Sequence, residues 1–472
     1  MTRYSRIVFS ILRNPRITLN SHPRRIPKAS PRSRCFSTRP PLATPGDQEE
    51  WQPTYNWIPD VESLENYIPG GYHPIMIGDV LHDRYRIVDK IGYGGYSTVW
   101  LSYDTRQKCY VALKVGTADS TLRETETLRA ISSQTSMPFP ICLGRDSIPS
   151  LLDEFEVHGP NGTHQCYTMT LAQGDLRAIS FSRLFPIDVA RALSGRVALA
   201  VAYIHSRGYV HGDVHLKNVL LKLSSSINEL SIDELYKKYG DPETVPITRC
   251  DGQPLTPNVP SEAVVPLSLG GREDIRKFSL SDTSILLTDF GEAFAPGSES
   301  RLGKDCHTPY GSRAPEARFE PDAPLSYPSD IWSLATTIWE IIGMKAVFSN
   351  EYVPADEITA QHVDVLGPMP QSWWERWEAR AQFFTDDGRP CGRSEPWPTL
   401  ETCFEDYIQK YRREEEALGV FDEKEKATIL DLMRRMLAYR PEDRPTADEV
   451  LKSEWMVKWV LPAVERSQET VE

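Results

Sequence analysis

The chain has 472 residues, of which 40% are apolar and 10% aromatic, and its formal net charge is −13. This length allows one large two-lobed domain or two medium ones. The eight cysteines are scattered without a Cys-x-x-Cys pair, so neither a disulfide framework nor a zinc site is indicated and a reducing compartment is expected. No apolar run is long enough to span a membrane, so we expect no membrane partner.

The charge is unevenly distributed along the chain. Residues 1–46 hold ten of the 53 basic residues and none of the 66 acidic ones, which leaves 43 basic against 66 acidic residues in the remainder. The Arg-rich, amphipathic start of the chain resembles a mitochondrial presequence, with cleavage expected after Phe36. A disordered basic tail on a protein of the cytoplasm or nucleus is the alternative. The acidic remainder argues against direct nucleic-acid binding and favours a basic partner, unless the acidity serves solubility alone.

The predicted elements begin after an extension. Residues 47–84 are rich in Pro, Gly and aromatic residues, which indicates an ordered extension rather than a domain. From Tyr85 onward, the runs "YRIVDKIG", "STVWLSYD" and "YVALKVG" predict strands. The stretch "DSTLRETETLRAIS" predicts a helix capped by Asp119 or Ser120. The Asn-Gly-Thr string at Asn161 matches a glycosylation pattern, but without a secretory signal we interpret it as a turn.

The second part of the chain is mainly helical. "PIDVARALSGRVALAVAYIHSRG" predicts a long helix that ends at Gly, and "SDIWSLATTIWEIIG" is apolar almost all round, which predicts a buried helix. Residues 223–283 carry Ser, Pro and Gly clusters with one short helical candidate, "SIDELYKKYG", and are predicted to be an insertion in a loop. Trp373 and Trp377 share a helical face, which predicts packing rather than a ligand platform.

The order of these elements predicts an α+β architecture with two lobes. A small β-rich lobe over residues 85–172 is followed by a larger helical lobe over 173–456, which contains the insertion, and a C-terminal tail over 457–472 completes the chain.

A glycine-rich string lies between the first two predicted strands. Gly92, Gly94 and Val99 follow the spacing of a nucleotide-binding loop, with Ser97 at the third glycine position. Glycines let the backbone approach phosphates and Val99 would cover a base, although a plain glycine-rich β-turn explains the string equally well on its own. On the next strand Lys114 lies between apolar residues, where an ammonium group indicates a grip on the α- and β-phosphates.

Two acidic residues compete as the partner of Lys114. Glu124 lies four and seven residues before Leu128 and Ile131, which mark the buried face of the predicted helix. Glu126 points about 200° round the helix from Glu124. Glu124 is therefore the predicted partner, although the string "TLRE" also fits a capping box in which Glu124 caps the helix.

Two further strings predict phosphotransfer chemistry, and two more predict a structural ion pair. "HGDVHLKN" places Asp213 five residues before Asn218, as a base and a metal ligand are arranged. Asp289 follows an apolar strand in "LLTDFGEA", where it would hold Mg²⁺ bridging the phosphates, with Asn218 at a second metal position. In the helical lobe, "RAPE" and "RPEDRP" predict a buried pair between Glu316 and Arg444.

In this order the strings resemble those of eukaryotic protein kinases over about residues 85–456. Within them the chain is similar to the SR-protein kinases, in the divergent branch familiar from fungi. The strings that carry this second resemblance are "GGYHPIMIGD", "GYGGYSTVWL", "LLDEFEVHGPNGTH" and "HVDVLGPMP". The insertion also lies where that family places its spacer between the lobes.

The resemblance implies a bilobal protein-kinase fold that binds ATP and Mg²⁺ and phosphorylates Ser in Arg/Ser-rich proteins, as a monomer. Met169 would be the gatekeeper, and the hinge Thr170, Leu171 and Ala172 would bind adenine through backbone groups, with Ala112 lining the same pocket. Asp213 would be the catalytic base.

Gly212 and its surroundings depart from the family pattern. Gly212 replaces the Arg that reads a phosphate on the activation segment, so we predict activity without phosphorylation of that segment. The string before Ala-Pro-Glu is one residue out of step, which leaves open whether Thr308, Tyr310 or Ser312 contacts Asp213.

A further departure concerns a lysine that normally follows the base by two residues. His215 stands there, and Lys217 lies two residues further on. We predict that Lys217 supplies the missing charge at the γ-phosphate.

Two other classes of function stay open at this point. A small-molecule phosphotransferase of the aminoglycoside or choline kinase type shares the His-Gly-Asp-x-His-x-x-Asn string, but it lacks the Ala-Pro-Glu segment and this helical core, in which Asp330 is poised to hold the backbone of the catalytic loop, residues 211–218. A pseudokinase scaffold is supported only by Gly212 and His215, because every other essential group is present.

Overall fold

The computed structural model describes residues 52–469, apart from 119, 121–122, 133–139, 181–182, 224, 271–274, 350–352 and 393–394. The presequence-like residues 1–46, including the expected cleavage site at Phe36, lie outside the described residues, as does the predicted helix cap Asp119. Within the described ranges, no helix combines the length and the apolar character that crossing a bilayer requires.

Six antiparallel strands form the sheet of the first lobe, in the order β1-β2-β3-β4-β6-β5. The strands are β1 (Val80–Leu81), β2 (Tyr85–Gly94), β3 (Ser97–Asp104), β4 (Cys109–Gly116), β5 (Leu151–Gly159) and β6 (Gly162–Met169). Side chains alternate across a strand, so β4 places Leu113 and Val115 on the face covered by Ile75 of the preceding extension. Ala112 lies on the other face, which is also the face of Lys114 because the two are separated by two positions.

Two smaller sheets follow along the chain. One is the hairpin of β9 (Glu243–Pro246) with β10 (Glu262–Val265), and the other joins β7 (Ala172–Asp175), β8 (Val219–Lys222) and β11 (Ile285–Leu287) in the order β11-β8-β7. The pairing of Leu287 with Val219 brings the ends of β8 and β11 together. Beyond these strand ends the N–H of Thr288 donates a 2.8 Å hydrogen bond to the backbone oxygen of Asn218, so Asp289 follows directly after the residue that faces Asn218.

The second lobe is helical. After α1 (Arg123–Ser132) in the first lobe, the helices are α2 (Leu176–Ser180), α3 (Ile187–Ser206), α4 (Ile232–Tyr239), α5 (Glu316–Phe319), α6 (Tyr327–Ile342), α7 (Ala355–Leu366), α8 (Gln371–Arg376), α9 (Leu400–Phe404), α10 (Lys410–Glu414), α11 (Glu423–Met436), α12 (Ala447–Leu451) and α13 (Leu461–Glu469). The helix α6 is buried almost all round, as predicted, with Trp332 and Trp339 fully enclosed. Trp373 and Trp377 are also buried packing residues. The predicted two-lobed α+β fold is confirmed.

The C-terminal segment differs from the tail expected over residues 457–472. As far as residue 469 it belongs to the helical lobe, because α13 buries Val464 against α3. A β-carbon at Gly195 of α3 would lie 2.6 Å from a methyl group of Val464, so the close approach of the two helices requires glycine at that position.

The insertion 223–283 has more structure than its sequence predicted. The helix α4 has the expected location and a capping box in which Ser231 and Glu234 bond each other's backbone N–H groups. The hairpin β9–β10 was not predicted. The insertion packs on the first lobe, where the hydroxyl of Tyr236 donates a 2.9 Å hydrogen bond to the carbonyl oxygen of Val88.

Candidate active site

The glycine-rich string forms the hairpin between β2 and β3. Gly92 pairs with Val99 and Gly94 with Ser97. A β-carbon added at Gly94 would meet no atom within 4 Å, and one at Gly92 would meet only the β-carbon of Val99, at 3.9 Å. The backbone at these positions is therefore open to a ligand. Sequence reasoning missed one contact, in which the hydroxyl of Tyr72 donates a 2.7 Å hydrogen bond to the carbonyl oxygen of Gly94.

Lys114 pairs with Glu124 as the helix periodicity predicted. Its ammonium lies 2.6 Å from Oε2 of Glu124 and 3.4 Å from Oδ1 of Asp289. Burial disfavours the charged form, but the carboxylate of Glu124 outweighs it and holds the pKa of Lys114 well above its ordinary value. Glu126 is exposed on the outer face of α1. Lys114 is therefore a fixed cation between two carboxylates.

Glu124 also joins α1 to the start of the activation segment. Its Oε1 accepts a 3.1 Å hydrogen bond from the backbone N–H of Phe290. Within the described residues both oxygens of Glu124 thus have partners outside its own helix, whereas Thr121, the partner expected in the capping-box alternative, lies outside the described residues. Glu124 thus links Lys114, through its ion pair, to the backbone next to Asp289, through its hydrogen bond. A shift of α1 would move both contacts together.

Asp289 and Asn218 meet at the ends of β11 and β8. The charge of Lys114 is the main cause that lowers the pKa of Asp289, and Asp289 has a left-handed backbone with φ of 64°, a conformation that costs energy for a residue with a side chain. Asn218 donates its amide hydrogens to the backbone oxygen of Asp213 at 2.9 Å and to Oδ2 of Asp213 at 3.0 Å. Both of these bonds use the amide nitrogen of Asn218 and neither uses its amide oxygen.

These two side chains fit a hard divalent cation. Carboxylate and amide oxygens are the ligands that Mg²⁺ accepts, usually with several waters and substrate phosphates. The amide nitrogen of Asn218 is engaged by Asp213, and within the described residues its amide oxygen has no hydrogen bond. Asp289 keeps about half of its side chain exposed, at 54%. The donor set therefore matches the expected metal.

Asp330 of α6 holds the backbone of the catalytic loop. Its two oxygens accept the backbone N–H groups of His211 at 2.7 Å and Gly212 at 2.9 Å. Burial would raise the pKa of Asp330, but the hydrogen bond from His205 and these backbone donors keep it below its ordinary value. Asp330 thus lies where the sequence placed it.

Asp213 is supported on one of its oxygens only. Oδ2 accepts from Asn218 and lies 3.3 Å from Nε2 of His215. Oδ1 is buried and has no hydrogen-bond partner among the described residues. Buried polar atoms without partners are rare in folded proteins and call for a reason, such as a substrate group that completes the site.

The predicted role of Lys217 at the γ-phosphate stays a prediction. Lys217 is exposed, and its ammonium has neither a hydrogen bond nor an ion pair within the described part of the chain. His215, by contrast, reaches both Asp213 and, at 3.4 Å, the amide nitrogen of Asn218. No sequence pattern indicated this contact, because a different residue type usually stands at the position of His215.

The surroundings of Gly212 show why no side chain stands there. Its φ is +78°, and a β-carbon would lie 2.7 Å from the backbone oxygen of Glu292. The carboxylate of Glu292 is held by Arg301 at 2.6 Å and by Nδ1 of His307 at 2.9 Å. The activation segment, residues 289–316, is thus tied by an ion-pair cluster of its own.

Of the three candidate hydroxyls, that of Thr308 contacts the catalytic loop, at the residue before Asp213 and not at Asp213 itself. Its hydroxyl donates a 2.6 Å hydrogen bond to the carbonyl oxygen of Gly212, next to Asp213. Ser312 is buried and its carbonyl oxygen accepts from Ser333, while Tyr310 is exposed. At the end of the segment Glu316 and Arg444 form the predicted buried pair, with two bonds of 2.7 and 2.6 Å.

The remaining predicted residues line one apolar cluster. Val99, Ala112, Met169 and Leu171 pack together in it. Ala112 pairs with Met169, and the connection between the lobes runs from there through Thr170 to Ala172, where β7 begins.

A two-lobed fold in which Lys114 pairs with Glu124 and approaches Asp289, with Asp213 bonded to Asn218, is the arrangement typical of a kinase. The sequence model of the protein kinase domain matches residues 85–232 and 278–456, and the chain belongs to the protein kinase family. The residues left unmatched between these two ranges lie within the insertion. Members of this family use ATP and a divalent metal, and the match disfavours the small-molecule phosphotransferase.

Among its relatives, the chain is similar to a serine/threonine protein kinase of Aspergillus fumigatus, with 27% identity over 412 residues that span 84% of this chain and 90% of the relative. It is also similar to the serine/threonine-protein kinase SRPK of Physarum polycephalum, with 25% identity over 413 residues, or 84% and 91% of the two chains. Human SRSF protein kinase 3 is 34% identical over 170 residues, which are 34% of this chain and 29% of that protein.

A crystal structure of a kinase domain superposes with a TM-score of 0.52 at 16% identity, over 82% of this chain and 98% of that one. At this identity the likeness concerns the fold alone. The expected protein-kinase fold and the resemblance to SR-protein kinases are confirmed.

Proposed function

We propose that this protein kinase transfers the γ-phosphoryl group of ATP to serine and threonine hydroxyls of basic, Arg/Ser-rich proteins, among which proteins of mRNA processing are the first to test. The observation that carries the proposal is the free oxygen of Asp213. Oδ2 is fixed by Asn218 while Oδ1 is buried without a partner in the described chain. The Asp213 side chain keeps 16% of its surface exposed, so a substrate hydroxyl that reaches this carboxylate would give it a proton as the hydroxyl oxygen attacks phosphorus.

The nucleotide is proposed to lie between the lobes, with adenine on the backbone of Thr170 to Ala172 and its phosphates under the glycine-rich hairpin. Lys114, held charged by Glu124, would hold the α- and β-phosphates. A cation fixed in advance by a carboxylate loses little freedom when the nucleotide binds, which favours its use in positioning.

Asp289 and Asn218 are the residues proposed to hold Mg²⁺. When bound, the metal supplies positive charge to the phosphate oxygens and so favours departure of the leaving group. The part that the chain itself plays is to present the two oxygen ligands and to keep Asp289 ionised, since the charge of Lys114 lowers its pKa.

The proposed substrate class rests on charge and on the relatives. Residues 47–472 hold 43 basic and 66 acidic residues, so that this part of the chain attracts basic peptides. Two of the similar proteins are named SRPK and SRSF protein kinase, which supports Arg/Ser-rich proteins as the class to test.

The decisive experiment compares acceptors with one enzyme preparation. Transfer of labelled phosphate should occur to an Arg-Ser repeat peptide, and neither to the same peptide with every Ser changed to Ala nor to choline or kanamycin. Asp213→Asn should reduce kcat by a factor of about 10² to 10⁴ while the protein still binds ATP, because only proton transfer is lost. Transfer to the small alcohols, or equal activity of Asp213→Asn, would contradict the proposal.

The cellular location decides which basic proteins the enzyme meets. Residues 1–46 are proposed to act as a presequence, on the basis of their charge and their amphipathic start, in which case the basic substrates would be mitochondrial proteins in place of proteins of mRNA processing. N-terminal sequencing of the native protein after fractionation tests this, with a mature chain that begins at Ser37 in the mitochondrial fraction as the expected result. A nuclear or cytoplasmic protein that keeps residues 1–36 would contradict it and would agree with substrates in mRNA processing.

A further inference from the structure

Tyr72 lies outside the matched kinase domain, yet it contacts the glycine-rich hairpin. Its hydroxyl donates a 2.7 Å hydrogen bond to the carbonyl oxygen of Gly94, the last residue of β2. On the other side of the turn, the carbonyl oxygen of Tyr96 accepts from the backbone N–H of Thr117 at 2.9 Å. β-carbons added at Gly94 and Gly95 would meet no atom within 4 Å. The tip of the hairpin is therefore held by hydrogen bonds and not by packing.

Tyr72 itself is rigidly placed. Its side chain is buried, and its ring packs edge-on against that of Tyr67, with ring centroids 5.5 Å apart. Its backbone N–H donates to the carbonyl oxygen of Asn66 at 3.0 Å. The neighbouring Gly71 allows this close turn, because a β-carbon there would lie 1.9 Å from the same oxygen. A hydroxyl on such a fixed ring loses little freedom when it forms its bond.

The insertion holds Tyr72 from the other side. The buried amide of Asn161, in the turn between β5 and β6, donates to the carbonyl oxygen of Tyr72 at 2.7 Å and to that of Asn258 in the insertion at 2.8 Å. Asn258 donates back to Oδ1 of Asn161 at 2.6 Å. A continuous set of hydrogen bonds thus runs from Asn258 through Asn161 and Tyr72 to Gly94.

The planar trans peptide converts this contact into an orientation for a donor. In the peptide between Gly94 and Gly95, the C=O and N–H groups point in opposite directions. Holding the carbonyl of Gly94 toward Tyr72 therefore directs the N–H of Gly95 away from the extension. The extension covers the sheet face of Leu113, and Lys114 lies on the opposite face. If Tyr72 lies on the same side of the sheet as the rest of the extension, the N–H of Gly95 would face the side proposed for the phosphates, where backbone N–H groups are effective donors.

We propose that Tyr72 is a positioning residue for the nucleotide phosphates, and that the insertion acts on the same hairpin through Asn161. The proposal rests on the proposed nucleotide position under that hairpin. The extension and the insertion would then share a role in ATP binding, and both would act through the hairpin without contacting the nucleotide.

Tyr72→Phe removes only the hydroxyl and tests the proposal directly. The affinity for Mg²⁺-ATP and for ADP should fall by about five-fold, as expected from loss of one hydrogen bond, whereas the affinity for adenosine, which has no phosphates, should not change. The matched control is Tyr236→Phe, which removes an equivalent hydroxyl-to-carbonyl bond to Val88 of the same strand. The control should leave all three affinities unchanged.

Each other outcome is informative. Unchanged ATP affinity in Tyr72→Phe, or an equal loss for ATP and adenosine, would overturn the positioning role. A loss of ATP affinity in Tyr236→Phe as well would show a general effect on the sheet. If Tyr72→Phe does not fold, Asn258→Ala removes the outer end of the same set of bonds and should weaken ATP but not adenosine. Phosphorylation of the Arg-Ser peptide by the unchanged protein separates failure of this proposal from failure of the proposed function.

Discussion

The hydroxyl of Thr308 donates its hydrogen bond to the carbonyl oxygen of Gly212 over 2.6 Å. This bond joins the activation segment to the catalytic loop one residue before Asp213. The same glycine has φ of +78° and its backbone faces that of Glu292. The activation segment and the catalytic loop therefore contact each other at Gly212, a residue without a side chain.

Gly212→Ala should destabilise the protein and reduce its activity. The new β-carbon would lie 2.7 Å from the oxygen of Glu292, and a left-handed alanine adds strain of about 1–3 kcal/mol. Gly208→Ala is the matched control, since φ there is +84° but no atom lies within 4 Å of the added carbon. Urea unfolding of both variants isolates the clash. Equal losses of free energy of unfolding in the two variants would contradict it.

Unphosphorylated protein should be active, and its activity should depend on Glu292. The carboxylate of Glu292 binds Arg301 and His307, in the manner in which a phosphate would gather basic groups. Phosphatase-treated protein should keep its kcat, and Glu292→Gln should lower it about ten-fold, since one unsupported charged group costs about 1–3 kcal/mol. Glu299→Gln, which removes an exposed partner of Arg123, serves as the control. Activity that appears only after phosphorylation of the segment would refute this account.

Lys217 and His215 are the two candidates for supplying positive charge at the γ-phosphate. If Lys217 supplies charge there, Lys217→Ala should cut kcat by at least ten-fold with little change in the KM for ATP. The structure offers His215 as the competitor, because it lies 3.3 Å from Asp213 whereas Lys217 is exposed. A neutral Lys217→Ala combined with an impaired His215→Ala would move the role to His215. Steady-state kinetics with the Arg-Ser peptide measure both.

Glu62 in the extension should be essential for stability. It forms a fully buried ion pair with Lys90 of β2, with both side chains 1% exposed and a distance of 2.6 Å, and it also accepts a hydrogen bond from Tyr67. Glu62→Gln leaves a buried ammonium without its counter-charge, which costs about 3–5 kcal/mol.

Glu454→Gln, at an exposed pair with Lys458, is the control and should change the midpoint of urea unfolding very little. A protein that begins at Tyr85, where the kinase-domain match starts, should fail to fold for the same reason as Glu62→Gln. A stable, active protein of that length would contradict the importance of this pair.

Acid should lower the free energy of unfolding of the protein, because His362 must take up a proton. The ring is buried against Trp332 and Phe348, and neither of its nitrogens has a hydrogen-bond partner in the described residues. Burial lowers its pKa to about 3 from the ordinary 6.5. The unfolded chain therefore binds a proton at higher pH than the folded one, and stability is lost as pH falls from about 6.5 toward 3.

The measurement is the free energy of unfolding between pH 7 and pH 4. His362→Phe should reduce its slope by up to about 1.4 kcal/mol per pH unit. An unchanged slope in His362→Phe would show that another group titrates in this range.

The residues that carry the chemistry were accessible to sequence reasoning because each lies in a short local pattern. The pairing of Lys114 with Glu124 followed from helical periodicity, and the burial of α6 followed from its apolar surface. The contacts of the extension were not accessible. Glu62 and Lys90 are 28 residues apart in sequence, and no local pattern specifies their pairing.

The insertion shows a second limit. Glu243–Pro246 is mostly exposed, so this strand lacks the alternation of buried and exposed residues that identifies strands. Its hairpin exists because Ala263 and Val264 of the partner strand are buried against other parts of the protein. Such strands depend on tertiary packing, which the sequence does not display.

The buried amide of Asn161 has a practical consequence for anyone who prepares this protein. Its nitrogen donates to Tyr72 and Asn258, and it stands in an Asn-Gly-Thr sequon. In a secretory host the unfolded chain would present that sequon to the glycosylation machinery, and an attached sugar would leave no room for either bond. Cytosolic expression is therefore the route to correctly folded enzyme.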